Sequence, residues 1–176
     1  MNRRNAIRTV VIISAGAALL PSCRDANTTY IQLKNISFTG KQQEMLADLS
    51  ETIIPKTKAF AGAKDLKAPE FVLLMLDDCT SPDDQQAFTK SMSAFEDACR
   101  KKWDNSFNKC SSQQKIEFLK ELESKTEEDD AKKFYKTVKR LTVQAFTSSK
   151  EYLEGVRKYK IIPGSAFKGC VPVNQA

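Results

Sequence analysis

The sequence predicts an all-α fold, an irregular bundle of about five helices with an extended arm at each end. Apolar residues recur at spacings of three and four, no stretch alternates with a period of two, and helix-start signals recur along the chain. The chain has 176 residues, of which 41% are hydrophobic and 28% charged, with only 6 Gly and 6 Pro. This composition is typical of a helical globular domain and excludes collagen-like and low-complexity chains.

The first helix is predicted to start at Thr39, which forms a capping box with Gln42. Pro55 ends it, since proline cannot continue a helix. Residues 56–68 follow as a loop that includes Gly62. A loop of this length is long for a compact bundle, so it is a candidate binding or wrapping element.

Four further helices are predicted from their start signals. Pro69 opens the second, which is apolar almost all round and should therefore be central. Ser81 caps the third and Ser111 the fourth, and the acidic run 127–130 starts the fifth. On the fifth helix a basic row opposite the apolar stripe is interpreted as a solvated face rather than a docking patch; it consists of Lys132, Lys136, Lys139 and Arg140.

Residues 1–22 are predicted to be an export signal of the twin-arginine type. Arg3 and Arg4 precede an apolar run, residues 10–20, that spans about 16 Å as helix, too short to cross a bilayer. The same pattern also fits the general export pathway. The run ends in Leu-Pro-Ser-Cys, which resembles a lipobox and predicts lipidation of Cys23, with simple export as the alternative. The predicted location is periplasmic, as a membrane-anchored lipoprotein, with residues 23–38 as a tether and 39–176 as one helical domain.

Charge is distributed unevenly along the chain. The formal net charge is +6, and removal of the signal lowers it to +3. Residues 24–130 carry a net charge of −5, whereas 131–176 carry +8, which indicates a positive face for an acidic partner or lipid headgroups. Nucleic acid is not expected as a partner, because no nucleic-acid-binding motif accompanies the charge.

Histidine is absent, and this removes the commonest general base and every His-containing zinc, haem or nucleophile site. No catalytic, cofactor-binding or metal-ligating residue is predicted in this chain. A catalytic alternative would have to use Asp, Glu, Lys, Tyr or Cys, with Glu51, Asp77 and Asp78 as candidate paired carboxylates. Acids near helix ends are more often caps or surface charges.

Four cysteines remain beyond Cys23, and export to an oxidising compartment predicts disulfides. Cys79 and Cys99 would be about 24 Å apart by helical rise, well beyond disulfide reach. Cys99 with Cys110, across one interhelical turn, is the better pair. Cys79 and Cys170 are then left to pair with each other, or Cys170 bonds to another molecule. The alternative is that Cys170 is a small buried apolar residue.

The tail from residue 151 combines apolar and aromatic residues with glycines, so it cannot form a regular helix. So much apolar side chain in an irregular segment must pack on its own bundle or on another protein.

These features coincide with a known family. Glu51-Thr52-Ile53-Ile54-Pro55-x-Thr57, Ala61-Gly62-Ala63, Phe146-Thr147-Ser148-Ser149 and Phe167-Lys168-Gly169-Cys170-Val171-Pro172 resemble the small third subunit of gluconate 2-dehydrogenase and related periplasmic sugar dehydrogenases. The likeness covers residues 39–173. Two departures are Ala61, where the family has proline, and Lys150-Glu151, where a glycine is common.

The resemblance implies a non-catalytic subunit bound to a large flavoprotein of the glucose-methanol-choline type, which carries FAD and performs the chemistry. It also implies help with maturation and export of that partner, and a cytochrome c subunit or quinone as electron acceptor. The residues expected to contact the flavoprotein are Ile54, Pro55, Thr57, Tyr159, Pro163, Gly164, Phe167, Gly169, Cys170, Val171 and Pro172. The alternative function is a free-standing periplasmic lipoprotein that binds a small ligand.

Overall fold

Five α-helices form most of residues 31–159, the part of the chain that the computed structural model describes. They are α1 (Gly40–Ile53), α2 (Ala68–Asp78), α3 (Pro82–Trp103), α4 (Ser112–Ser124) and α5 (Asp130–Thr147). A 3₁₀ turn (Phe107–Lys109) lies between α3 and α4, and a π-helical turn (Glu151–Val156) follows α5. Within 31–159 there is no strand, so the all-α prediction is confirmed.

The core is built around α5, which packs against α1, α2, α3 and α4. The Phe134 ring lies between those of Phe88 and Phe95, with centroid distances of 5.1 and 4.9 Å. The Phe95 ring also contacts the rings of Phe107 and Phe118 at 5.3 and 5.2 Å. These five rings join α3, α4, α5 and the 3₁₀ turn into one aromatic core.

The prediction that the second helix is central is wrong. Leu74 on α2 is 44% exposed, so this helix has an outer face. An all-round apolar pattern shows that a helix can be buried on every side, but within the described residues α2 packs mainly against α5 and α1, which leave its outer face open. The central position belongs to α5.

The helix starts follow the local sequence signals. Thr39 and Ser111 each form a capping box, with Gln42 and Gln114 respectively, and the Ser81 hydroxyl accepts from a backbone N–H of α3. These side chains satisfy N–H groups that have no partner inside the helix.

Residues 31–38, which we call the strap, pack along the bundle. Ile36 is buried, while Ile31, Leu33 and Phe38 are partly buried against the core. The tether predicted over residues 23–38 is therefore wrong for its second half. The alternation of apolar and polar residues in the strap is too short to be recognised as a periodic pattern.

Asp77, at the end of α2, holds the strap in place. Its Oδ1 accepts the backbone N–H groups of Asn35 and Ile36 at 2.7 and 2.9 Å, and its Oδ2 accepts that of Lys34 at 2.8 Å. These backbone hydrogen bonds lower the pKa of the Asp77 carboxyl, the bond from Lys34 most of all. The side chain is only 3% exposed, so it is a structural carboxylate.

The sequence analysis interpreted the basic row on α5 as a solvated face, but not all of its side chains are exposed to solvent. Lys132 is 8% exposed, and its ammonium donates to the carbonyls of Glu123 and Lys125 at the end of α4. A lysine in this position complements carbonyls that the helix leaves unpaired. Lys136 and Lys139 pair with Glu128 and Glu123.

None of the helices within residues 31–159 has the length and hydropathy needed to cross a membrane. The predicted export signal, residues 1–22, and the lipidation site Cys23 lie outside the described residues.

Cys99 and Cys110, for which a disulfide is predicted, are neighbours in the structure without a bond between them, so the disulfide stays a prediction. Their Sγ atoms are 3.7 Å apart and both residues are buried, with the sulfurs present as thiols. Burial, followed by the neighbouring Cys110 thiol, raises the pKa of Cys99 to about 12. Cys79 is exposed at the end of α2, while its predicted partner Cys170 lies outside the described residues.

The hydrogen bonds between Asp77 and the strap predict that the stability of the fold depends on pH. We expect Asp77→Asn to destabilise the chain at neutral pH, with the difference from wild type shrinking as pH falls below about 4. A carboxyl whose pKa is lower in the folded state than in the unfolded state stabilises the fold at pH values above its unfolded pKa. This stabilisation disappears as the carboxyl becomes protonated in the folded state. Urea unfolding at a series of pH values measures this. Asp78→Asn, at an exposed neighbouring acid, is the control, and a pH-independent difference for Asp77→Asn contradicts the prediction.

The cysteine geometry predicts a disulfide after export. The mature protein should be lighter by two hydrogen atoms, with Cys99 and Cys110 recovered in one cross-linked peptide pair under non-reducing conditions. Cys110→Ser should lower the free energy of unfolding by about 3 kcal/mol, as expected for a loop of this length. Recovery of both residues as free thiols from the exported protein contradicts the pairing.

Candidate partner-binding surface

The loop between α1 and α2, residues 54–67, is closed by Glu51. This residue lies in the last turn of α1, and its Oε1 accepts the N–H of Lys56 at 3.0 Å while its Oε2 accepts that of Lys64 at 2.9 Å. A carboxylate is electrostatically disfavoured at a helix C-terminus, and the two donors offset that cost. One side chain therefore joins both arms of the 54–67 loop.

Gly62 makes this closure sterically possible. A Cβ atom at this position would lie 2.4 Å from Glu51 Oε1 and 2.7 Å from the backbone nitrogen of Lys56. The neighbouring Ala63 is fully buried, and its N–H donates to the carbonyl of Ile54 at 2.9 Å. The small residues of Ala61-Gly62-Ala63 thus let the returning arm pack closely against the outgoing one.

The tip of the loop is a tight turn that presents Phe60. The Thr57 N–H donates to the Phe60 carbonyl at 3.0 Å, and the Thr57 hydroxyl accepts the Phe60 N–H at 3.0 Å. The Phe60 side chain is nevertheless 48% exposed. A large apolar side chain held outward on an internally hydrogen-bonded turn loses little conformational freedom when a partner covers it.

The charges around the tip are mainly positive. Lys56 pairs with Asp65 at 2.9 Å, and this hydrogen bond, with a second from the Gly62 N–H, lowers the pKa of Asp65. Lys58 and Lys67 are exposed and have no carboxylate partner within residues 31–159. The surface therefore combines one aromatic side chain with two cations that are not paired inside the described chain.

A buried hydrogen bond brings this loop and the start of the tail into one region. The hydroxyls of Ser50 and Thr142 are 3.2 Å apart and both residues are fully buried. Ser50 lies three residues before the end of α1 and Thr142 five before the end of α5, about 5 and 8 Å along the two helices. The ends of α1 and α5 are therefore close in space, and so are the two segments found there, Ile-Ile-Pro-x-Thr (53–57) and Phe-Thr-Ser-Ser (146–149).

The tail remains partly apolar and exposed up to the last described residue. The rings of Phe146 and Tyr152 pack at 5.3 Å, whereas Val156 and Tyr159 are 44% and 55% exposed. The Tyr159 N–H donates to the Leu153 carbonyl at 2.8 Å. The structure thus leaves apolar side chains of this segment uncovered by the described bundle.

The predicted contact residues divide into two groups. Pro55, Thr57 and Tyr159 are exposed, and Ile54 is half-buried at the end of α1. The remaining positions lie outside the described residues: Pro163, Gly164, Phe167, Gly169, Cys170, Val171 and Pro172. Sequence reasoning missed Phe60, although an aromatic residue in the middle of a lysine-rich turn was a usable signal.

The carboxylates considered for catalysis have structural partners instead. Glu51 closes the 54–67 loop and Asp77 holds the strap, so neither is a free acid or base, and Asp78 is an exposed neighbour. Within residues 31–159 no three His, Cys, Asp or Glu side chains are grouped to hold a metal ion.

A groove of about 580 Å³ lies between α2, α3 and α5. Met75, Leu76, Phe88 and Leu141 contribute apolar surface to it, and Lys90 and Arg140 also line it. Polar and charged side chains line it as well, among them Asp84, Ser91 and Asp130. The groove therefore combines apolar surface with hydrogen-bonding and charged groups.

Gly62 provides a direct test of the loop closure. Gly62→Ala should lower the free energy of unfolding by about 2 kcal/mol, because the new methyl group displaces the Glu51 carboxylate or the backbone of Lys56. Gly155→Ala is the matched control, since a Cβ there meets no atom within 4 Å. Equal stability of the two variants in urea unfolding would show that Glu51 does not close the loop.

Comparisons with known proteins agree with this architecture. The family model described as gluconate 2-dehydrogenase subunit 3 matches residues 40–164, which include all five helices and the whole 54–67 loop. No curated protein and no solved structure matches the chain. The matched range covers well over half of the sequence and implies association with a larger dehydrogenase complex. The chain belongs to the gluconate 2-dehydrogenase subunit 3 family.

Proposed function

We propose that this chain is the non-catalytic small subunit of a membrane-associated periplasmic sugar or glycoside dehydrogenase complex. Its partner is an FAD-dependent flavoprotein of the glucose-methanol-choline type, which carries the cofactor and performs the oxidation. The small subunit binds and stabilises the flavoprotein and assists its maturation or its twin-arginine export.

The exposed Phe60 on the closed 54–67 loop is the observation that carries this proposal. The loop is internally hydrogen-bonded by Glu51 and Thr57, yet it turns its largest apolar side chain outward. Preformed aromatic anchors of this kind typically dominate the binding energy of protein interfaces. Family membership supplies the kind of partner, because a subunit must present a surface to the rest of its complex.

The charges of this surface indicate what kind of surface the flavoprotein should present to it. Lys58 and Lys67 lie on the same loop as Phe60 and lack carboxylate partners within the described chain. A complementary site is an apolar pocket with acidic residues at its rim, which favours encounter in the correct orientation. Neutralising these lysines should therefore slow association more than it speeds dissociation.

The tail extends this interface. It leaves the bundle near the 54–67 loop with Tyr159 exposed, and its remaining residues include the apolar Phe167 and Val171 and the thiol of Cys170. We place Cys170 opposite a flavoprotein cysteine as a covalent link between the subunits. A lipid anchor at Cys23 attaches the complex to the membrane, where a cytochrome c subunit or quinone accepts the electrons.

The proposal is tested by isolating the tagged chain from cell envelopes. We expect a stoichiometric large polypeptide with a flavin absorbance spectrum, and an interface burying more than about 2,000 Å² in the isolated complex. Deleting the gene for this chain should leave the flavoprotein inside the cytoplasm. Purification of a solitary monomer, with the flavoprotein exported normally in its absence, contradicts the proposal.

Phe60 should be the strongest single contact within the described residues. Phe60→Ala should weaken binding of the flavoprotein by at least about tenfold, or about 1.4 kcal/mol, without changing the melting temperature of the isolated subunit. Ile116→Ala, at an apolar side chain that is 41% exposed on α4, is the control and should bind normally. Surface plasmon resonance in a Cys170→Ser background measures both, and equal affinities argue against the loop as the docking site.

A further inference from the structure

We propose that the outer face of α2, together with the groove between α2, α3 and α5, is a second contact surface for the flavoprotein. In the complex it is covered by a segment of that subunit that carries both apolar and carboxylate side chains. This inference rests on the proposed function and extends it, because it names a surface beyond the 54–67 loop and the chemistry of the segment that covers it.

The sequence of α2 is more apolar than its surroundings in the described chain require. Residues 71–76 are six consecutive apolar side chains, a pattern typical of a helix that is buried on every side. Three of them are buried in the core. The other three, Phe71, Leu74 and Met75, lie at spacings of three and four on the opposite face, where Leu74 is 44% exposed and its two neighbours are half-buried. A partner that covers this face completes the burial that the sequence of α2 indicates.

The groove continues this apolar surface. Its walls are α2 and α3, and it opens between them over α5, because both helices pack mainly on α5 and not on each other. Phe88 and Leu141 line the groove and are themselves buried, so they form its apolar base. Met75 belongs both to the outer face of α2 and to the lining of the groove. The apolar surface of α2 therefore extends into the groove through Met75.

The charges of the groove favour an acidic occupant. Its lining carries three cations and two acids, which are Lys90, Lys133, Arg140, Asp84 and Asp130. Asp130 is shared by Lys90 and Lys133, with N–O distances of 3.7 and 3.4 Å. Asp84 already accepts the Ser81 hydroxyl at 2.7 Å. The groove thus has an excess of positive charge, which a segment bearing carboxylates complements.

Arg140 is the cation of the groove that has no carboxylate partner within residues 31–159. In the basic row of α5, Lys136 and Lys139 pair with glutamates, and Lys132 donates to carbonyls at the end of α4. Arg140 is exposed and lines the groove instead. A guanidinium can bind a carboxylate through two parallel hydrogen bonds. Beside an apolar base, Arg140 therefore selects a segment in which a carboxylate lies next to apolar side chains.

The size of a permanent interface also requires more surface than the 54–67 loop provides. An interface of standard size, about 1,600 Å², takes about 20–30 residues from each partner, and a permanent one takes more. The loop has fourteen residues, and not all of them face outward. It leads directly into α2, where Met75 lies eight residues after Lys67, about 12 Å along the helix. One partner surface can therefore cover Phe60 and reach the groove.

A photo-cross-linking experiment on the complex identifies the occupant of the groove. The complex of the full chain with the flavoprotein is isolated from cell envelopes, with benzoylphenylalanine in place of Ala87, an exposed residue of α3 that lines the groove. The control chain carries the same label in place of Lys120, which is exposed on α4 and does not line the groove. We expect the label at position 87 to cross-link to the flavoprotein in much higher yield than the label at position 120. Peptide mass spectrometry should then identify a flavoprotein segment with apolar and carboxylate side chains.

Two substitutions test the apolar and the charged part of the surface separately. Leu74→Gln and Arg140→Gln should each weaken binding of the flavoprotein by at least about fivefold. Both side chains are exposed, so the melting temperature of the isolated subunit should not change. Ile116→Gln and Lys120→Gln, on the exposed face of α4, are the matched controls and should bind normally. Surface plasmon resonance in the Cys170→Ser background measures all four, and the affinity of Arg140→Gln should depend less on salt concentration than that of the parent chain.

Failure of this inference is distinguishable from failure of the proposed function. A stoichiometric complex in which the label at position 87 cross-links to this chain's own tail, to a second copy of the chain or to nothing overturns the inference and leaves the proposed function intact. Unchanged affinity of both Leu74→Gln and Arg140→Gln has the same meaning. A cross-linked flavoprotein segment without Asp or Glu overturns the acidic character of the occupant. If no complex can be isolated, the proposed function fails, and this inference fails with it.

Discussion

Backbone N–H groups outside helices need acceptors, and in this bundle two carboxylates provide them. Asp77 and Glu51 lie at the ends of α2 and α1, and each accepts donors from a segment with no regular structure of its own. The Ile36 N–H is buried, and a buried donor without a partner costs as much as a lost hydrogen bond, whereas the donors to Glu51 are exposed. The path of the strap and the closure of the 54–67 loop both depend on this pair of acids.

Glu51 explains the spacing between the end of α1 and the small residues Ala61-Gly62-Ala63. Glu51 needs both arms of the loop within reach, Pro55 ends α1, and Thr57 forms the turn that presents Phe60. Gly62 leaves room for the carboxylate. The loop closes without a proline at Ala61, because Glu51 and Thr57 already fix its backbone.

The sequence was sufficient for features that depend on neighbouring residues. Thr39, Ser81 and Ser111 start helices because their side chains cap N–H groups three residues away, and such short-range signals are readable without the fold. The strap, the buried Lys132 and the exposed face of α2 were missed. Each depends on an element distant in sequence. Asp77 holds the strap, the end of α4 binds Lys132, and α1 and α5 cover α2 incompletely, which leaves Leu74 exposed.

The sulfur atoms of Cys99 and Cys110 are buried between α3 and the 3₁₀ turn, so disulfide formation depends on when an oxidant can reach them. Cys99 is fully buried and Cys110 is 7% exposed, so an oxidant meets them only while this corner of the chain is open. A chain that folds before it leaves a reducing compartment carries both as thiols and must loosen locally to exchange electrons. For the proposed export, the redox state of Cys99 and Cys110 therefore records whether folding came before or after the crossing.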